Sequence, residues 1–212
     1  MKLLLLSLLI AVSAIVAAGD RQNGNIRRHR VLKPVTTILI IVLALLAFPD
    51  VPQPFYTCLL IGLIFCLAGD VFLMFEKYFV FGLAAFLVGH VLFIIGFTQF
   101  NGFLVNPWVI VPLLLFGFGY YYFLWPDLKK LAIPVAFYFI AILLMDLQAI
   151  SLYVLKGSTP FLLIMLGALL FTFSDSMIAL RKFKKPFKNS EWWILSTYWI
   201  AIYMLAYSAH LV

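Results

Sequence analysis

Long apolar runs, broken by short polar or basic segments, make up most of this chain. The runs have the length of a bilayer crossing and show no 3.6-residue polar stripe. They predict eight helical spans, at roughly 3–18, 34–48, 55–75, 79–100, 107–125, 131–150, 160–180 and 192–211. Span two is short, bounded by Lys33-Pro34 and by Pro49-Asp50-Val51-Pro52. Pro34, Pro54, Pro107 and Pro160 stand at predicted span starts, where a helix loses no backbone donor to proline.

Two runs carry an acid. Gly62-Leu63-Ile64-Phe65-Cys66-Leu67-Ala68-Gly69-Asp70 in span three is echoed by Gly167-Ala168-Leu169-Leu170-Phe171-Thr172-Phe173-Ser174-Asp175 in span seven, each with Gly eight residues before Asp. A carboxylate in a bilayer is expensive, so it marks a candidate functional site. The echo also suggests two four-helix halves running in the same direction, related by an axis along the membrane normal.

Composition settles the class. Of the 212 residues, 66% are hydrophobic and 11% charged, beyond what a soluble domain of this size could bury. The expected fold is all-α: one polytopic membrane helix bundle over residues 1–212, with eight transmembrane helices. The net charge of +7 does not signal nucleic acid, because the basic residues are confined to loops. The loops after spans one, three, five and seven hold 13 of the 15 Lys and Arg, leaving Lys2 and Lys156 on the other side. The positive-inside rule then makes those loops cytoplasmic and puts both termini on the non-cytoplasmic side. Trp108 and Trp125 bracket span five, and Trp192 and Trp193 mark the start of span eight.

Span one has features of a cleavable signal peptide: Lys2, an apolar run, and small residues at Ala14, Ala17, Ala18 and Gly19. That reading would send Arg27-Arg28-His29-Arg30 across the membrane against the charge rule, so span one is expected to be retained. Cys58 and Cys66 sit two turns apart on one predicted helix. They cannot bridge each other and read as packing thiols.

Depth brings the acids together. Asp70 lies six residues before Glu76, and Asp175 six before Arg181, so both sit about 9 Å below one boundary. Tyr198, six residues after Trp192, falls at that level, with Tyr138, Thr36 and Thr37 nearby. Each residue also has a plainer reading. An intramembrane Asp can be glue between helices, bonded to Ser, Thr or Tyr. Asp146 reads as an outer-end residue near water. His90 reads as a hydrogen-bonded packing or supporting group, and His210 as interfacial. Tyr138 and Tyr198 read as packing aromatics as readily as functional ones. Lys33 either snorkels or meets a lipid phosphate.

Other chemistries lack their residues. The three histidines, 29, 90 and 210, lie in a loop, at mid-membrane and at the far face, so no zinc ligand set is expected. There is no Gly-x-Ser-x-Gly elbow and no glycine-rich phosphate loop. Metal-free, cofactor-free carboxylate chemistry is what remains. Two buried carboxyl groups close together do not both ionise readily. One can donate a proton while the other activates water. The fitting substrate is a single-chain lipid with an acid-sensitive bond, taken from the bilayer.

Lys33-Pro34, Ala68-Gly69-Asp70 with Phe72-Leu73, Phe86-Leu87-Val88-Gly89-His90, Gly167 to Phe171 with Ser174-Asp175, and Tyr198-Trp199-Ile200-Ala201 together resemble the YhhN-like lysoplasmalogenase family. Ile202 stands where the pattern has Gln, and Asp146 after Met145 is an additional acid. The resemblance covers about residues 31 to 207. It implies an eight-span hydrolase, expected in a bacterial inner (plasma) membrane, that splits the vinyl ether bond of lysoplasmalogens into a fatty aldehyde and a glycerophospho-alcohol. Asp70 and Asp175 would be its catalytic pair. Lys33, Tyr138, Tyr198 and His90 would face the substrate, with the head-group phosphate near Lys33. The alternatives are a proton-coupled transporter or lipid carrier using the same aspartates as a relay, and a membrane regulator without chemistry.

Overall fold

The computed structural model describes residues 1–47, 53–185 and 187–212. The Pro49-Asp50-Val51-Pro52 boundary of span two lies outside the described residues, as does Phe48 at its predicted end. Eight α-helices follow one another: α1 (Lys2–Gln22), α2 (Ile26–Leu45), α3 (Gln53–Leu73), α4 (Phe79–Thr98), α5 (Pro107–Leu128), α6 (Ala132–Lys156), α7 (Thr159–Ala179) and α8 (Ser190–Ser208). Among the described residues there is no strand. Among the described residues five helical stretches are long and apolar enough to cross a membrane: Lys2–Gln22, Pro54–Leu73, Glu76–Thr98, Pro107–Lys156 and Thr159–Lys184.

Polar side chains are buried among the apolar residues of the bundle interior, and large apolar side chains cover its outside. Asp70, His90 and Asp146 are 1%, 0% and 0% exposed, while Leu115 and Phe118 on α5 are 72% and 71% exposed. That arrangement suits a lipid surround, where buried polar groups must find partners within the protein. The molecule is an integral membrane protein.

The tightest helix pairings are α3 with α4 and α7 with α8. Helix α6 joins them by packing on both α4 and α7, and α1 and α2 close the bundle against α8. The repeated glycines sit at these seams. A Cβ on Gly62 would lie 2.5 Å from the Phe93 ring on α4, and one on Gly167 would lie 3.0 Å from the Ala201 carbonyl oxygen on α8. Each glycine lets its helix meet the next at backbone distance, as small residues do in membrane bundles.

Helix α2 differs from its predicted boundaries. It starts at Ile26, eight residues early, so Pro34 is inside the helix and not at its entrance. Residues 26–33 include Arg27, Arg28, Arg30 and Lys33, which favour helix but lower the hydropathy that located the span. Pro107 and Pro160 do occupy first-turn positions, and the Asn106 side chain accepts a hydrogen bond from Trp108 N at 3.1 Å. Helix α1 is bound into the bundle by Ser13 Oγ to Thr36 Oγ1 at 2.7 Å and Ser7 Oγ to Tyr203 OH at 2.8 Å.

Candidate active site

Every one of the six residues singled out from the sequence lies in one of two adjoining polar clusters. Asp70, near the end of α3, anchors the first. Lys33 Nζ from α2 lies 3.2 Å from its Oδ1. Thr37 Oγ1, one turn further along α2, donates to Oδ2 at 2.6 Å, and the Tyr198 hydroxyl from α8 donates to the same oxygen at 2.8 Å. Trp199 Nε1 in turn donates to Thr37 Oγ1 at 3.4 Å. Lys33 is buried and ion-paired, so it does not snorkel. The pair is largely desolvated, and such pairs hold only when hydrogen bonds satisfy their remaining atoms, as Thr37 and Tyr198 do here.

Asp175, near the end of α7, anchors the second cluster. The Tyr138 hydroxyl from α6 donates to its Oδ2. His90 Nε2 from α4 stands 3.7 Å from that oxygen. The His90 ring meets Tyr138 edge-on with centroids 5.2 Å apart, and Phe171 at 4.7 Å. Neither ring nitrogen of His90 has a hydrogen-bond partner within reach among the described residues. The expected hydrogen-bonded packing histidine is therefore a histidine poised beside an acid.

The clusters are built alike. Lys33 and Tyr138 each lie 37 residues before the aspartate they contact. Each aspartate also takes a partner from the last helix of the other half: Tyr198 of α8 for Asp70, His90 of α4 for Asp175. The residue before each aspartate turns to the following helix. Gly69 abuts the Phe86 ring on α4, and Ser174 Oγ donates to the Ile194 carbonyl on α8 at 2.9 Å.

Phe86, Phe171 and Tyr198 form the partition between the clusters, with ring centroids 5.5 to 5.9 Å apart and edge-to-face geometry. The access of the two acids differs. A narrow cleft of about 40 Å³, walled by Leu73, Phe86, Val135, Phe139 and Ile142, includes Asp175 and Tyr138 in its lining and does not include Asp70.

Asp146 departs from the sequence reading. It is fully buried and not near water at an outer end. Thr172 Oγ1 donates to its Oδ2 at 2.7 Å, and its Oδ1 has no partner among the described residues. Thr172 is three residues before Asp175 and lines the same cleft. A third acid in an apolar run was the available signal; its neighbours were not readable, because they depend on how α6 is rotated against α7. Among the described residues no three His, Cys, Asp or Glu side chains converge as a metal site would require.

The YhhN family model matches residues 28–209. The chain belongs to the YhhN family. Relatives of this YhhN protein include lysoplasmalogenase TMEM86A of Bos taurus, 35% identical over 163 residues, which are 74% of this chain and 67% of the relative. Lysoplasmalogenase TMEM86B of Homo sapiens is 32% identical over 162 residues, 74% of this chain and 66% of that protein. TMEM86B of Rattus norvegicus is 31% identical over 172 residues, 80% of this chain and 69% of that protein. The chain thus spans about two thirds of the length of these relatives. No solved structure matches it significantly.

Proposed function

We propose that this YhhN protein is a lysoplasmalogenase, a membrane lipid hydrolase that cleaves the vinyl ether bond of a lysophospholipid taken from the bilayer. The observation that carries the reading is an acid, Asp175, on the wall of a largely apolar cleft, paired through an aromatic partition with a second acid that has its own cation. The names of the relatives agree with it.

Vinyl ether hydrolysis needs one proton given and one taken. Asp175 in its acid form protonates the β-carbon; the π electrons form the new C–H bond, and the ether oxygen stabilises the adjacent carbon as an oxocarbenium ion. Water attacks that carbon and loses its proton to a carboxylate, either Asp70 or the Asp175 just deprotonated. The hemiacetal then collapses to a fatty aldehyde and a glycerophospho-alcohol. The logic is that of paired carboxylates in glycoside hydrolysis. Asp70 is the second carboxyl group of the pair, held beside Lys33. Tyr138 and His90 orient Asp175, and Tyr198 orients Asp70.

The finer topology belongs to the same proposal: eight crossings, both termini on the non-cytoplasmic side, in a bacterial inner membrane. Support comes from the one-sided distribution of Lys and Arg and from the packing of α2 and α8 into the bundle.

The test is aldehyde release from a vinyl-ether lysophosphatidylethanolamine by purified protein in detergent. The expected result is turnover in the wild type, lost by two orders of magnitude or more in Asp175→Asn with the protein still monodisperse. Turnover undiminished in Asp175→Asn overturns the reading.

A further inference from the structure

A second cleft, of about 60 Å³, opens beside the first and has the opposite character. Its polar lining is Arg21, His29, Arg30, Lys33, Arg181 and Glu191. Four of these carry fixed positive charge and one is an acid. That acid is shared: Arg21 Nε lies 2.9 Å from Glu191 Oε1, and Arg181 pairs with the same oxygen. Lys33 is turned inward to Asp70. Arg30 pairs with no carboxylate among the described residues; its guanidinium lies over the Phe75 ring, 5.2 Å from the centroid. The cleft therefore holds more positive charge than its own acids neutralise, with arginines from three helical segments converging on it. Leu73 and Ile178 line both this cleft and the one that contains Asp175.

We propose that this basic cleft binds the phosphate of a single-chain phospholipid whose glycerol-linked end reaches the adjoining apolar cleft while the rest of its chain stays in the surrounding lipid, with Arg30 as a principal anion ligand. The inference deepens the hydrolase reading by naming the anionic end of the substrate. Arginine offers a forked set of donors that matches phosphate oxygens. The Leu73–Ile178 boundary puts the charged and apolar parts of one amphiphile on its two sides. The reacting bond then falls near Asp175, between head group and chain. A free phosphate ion shares the anionic chemistry but has no use for the apolar cleft.

The test measures binding and needs no turnover. Purified full-length protein in nanodiscs is titrated with an ester-linked lysophosphatidylethanolamine, with monoacylglycerol of the same chain length, and with inorganic phosphate. The lysophospholipid, which lacks a vinyl ether, is expected to bind at least about tenfold more tightly than the monoacylglycerol, a margin that shrinks as salt is raised. Arg30→Gln is expected to weaken lysophospholipid binding about five- to tenfold and leave monoacylglycerol unchanged, Arg30→Glu to weaken it more, and Arg30→Lys to retain part. Arg30 is exposed, and its replacement removes its contact with the Phe75 ring. Competition by millimolar phosphate supports the anion site. Equal affinity for the two lipids, an equal loss for both in Arg30→Gln, or phosphate binding as tight as the lysophospholipid overturns it. Arg30-dependent binding without aldehyde release from the vinyl ether overturns the hydrolase reading and leaves the phosphate site standing.

Discussion

Lys33 Nζ stands 3.2 Å from Asp70 Oδ1, and this ion pair makes the two aspartates chemically unequal. Asp70 has a lysine, a threonine and a tyrosine as partners; Asp175 has a tyrosine and a histidine ring. Two acids that look interchangeable along the chain are thus set apart by their neighbours, one held beside a permanent cation and one left facing a cleft.

Removing one member of a desolvated pair strands the other. Lys33→Met is expected to lower stability by about 3–5 kcal/mol, read as a drop in thermal unfolding temperature in detergent. Lys33→Met combined with Asp70→Asn should recover most of that loss, since no uncompensated charge is then buried. Strict additivity of the two changes would show that the pair is not coupled.

Tyr138→Phe deletes the hydroxyl that donates to Asp175 and keeps the ring. The expected cost is about 1 kcal/mol in stability. Aldehyde release should fall roughly tenfold, carried by kcat and not KM, since the tyrosine acts through Asp175. A change confined to KM would instead assign Tyr138 to substrate binding.

Asp146 and Thr172 form a buried bond with no further partner for Asp146 Oδ1 among the described residues. Replacing only Asp146 by Leu leaves the threonine hydroxyl without its acceptor, at about 1–3 kcal/mol. The double change Asp146→Leu with Thr172→Val should cost less than either single change alone, as tracked by unfolding temperature. If the double variant is the least stable of the three, the bond is not what holds α6 to α7 there.

Gly167→Val forces a branched side chain against the Ala201 carbonyl oxygen, a backbone atom that cannot turn aside. About 1–3 kcal/mol of destabilisation is expected, with a loss of monodisperse protein on size exclusion. Gly62→Val should do the same through the buried Phe93 ring.

Turnover should be indifferent to chelators. Incubation with EDTA followed by assay is expected to leave aldehyde release unchanged, because the proposed steps use only carboxyl groups and water. Inhibition reversed by a divalent ion would bring a metal into the reaction.

Much of this protein was legible before any coordinates. Lipid tolerates so few charged groups that Asp70 and Asp175 stand out in their apolar runs, and the count of residues from each boundary puts them at one depth. The same count named Tyr138, Tyr198, Thr36 and Thr37, of which all but Thr36, bonded instead to Ser13, contact an aspartate. Helix rise is a property of the chain alone, so depth follows from numbering. Rotation about the helix axis does not, because it is set by seams such as Gly62 against Phe93 and Gly167 against Ala201. Only the tertiary structure could therefore assign Lys33 to Asp70 and His90 to Asp175, and place Asp146 in the interior against Thr172. It also carried α2 back to Ile26, because helix formation in a basic segment leaves no mark on hydropathy. The basic cleft forms where α1, α2, α8 and the ends of α3 and α7 come together, and no single stretch of sequence contains it.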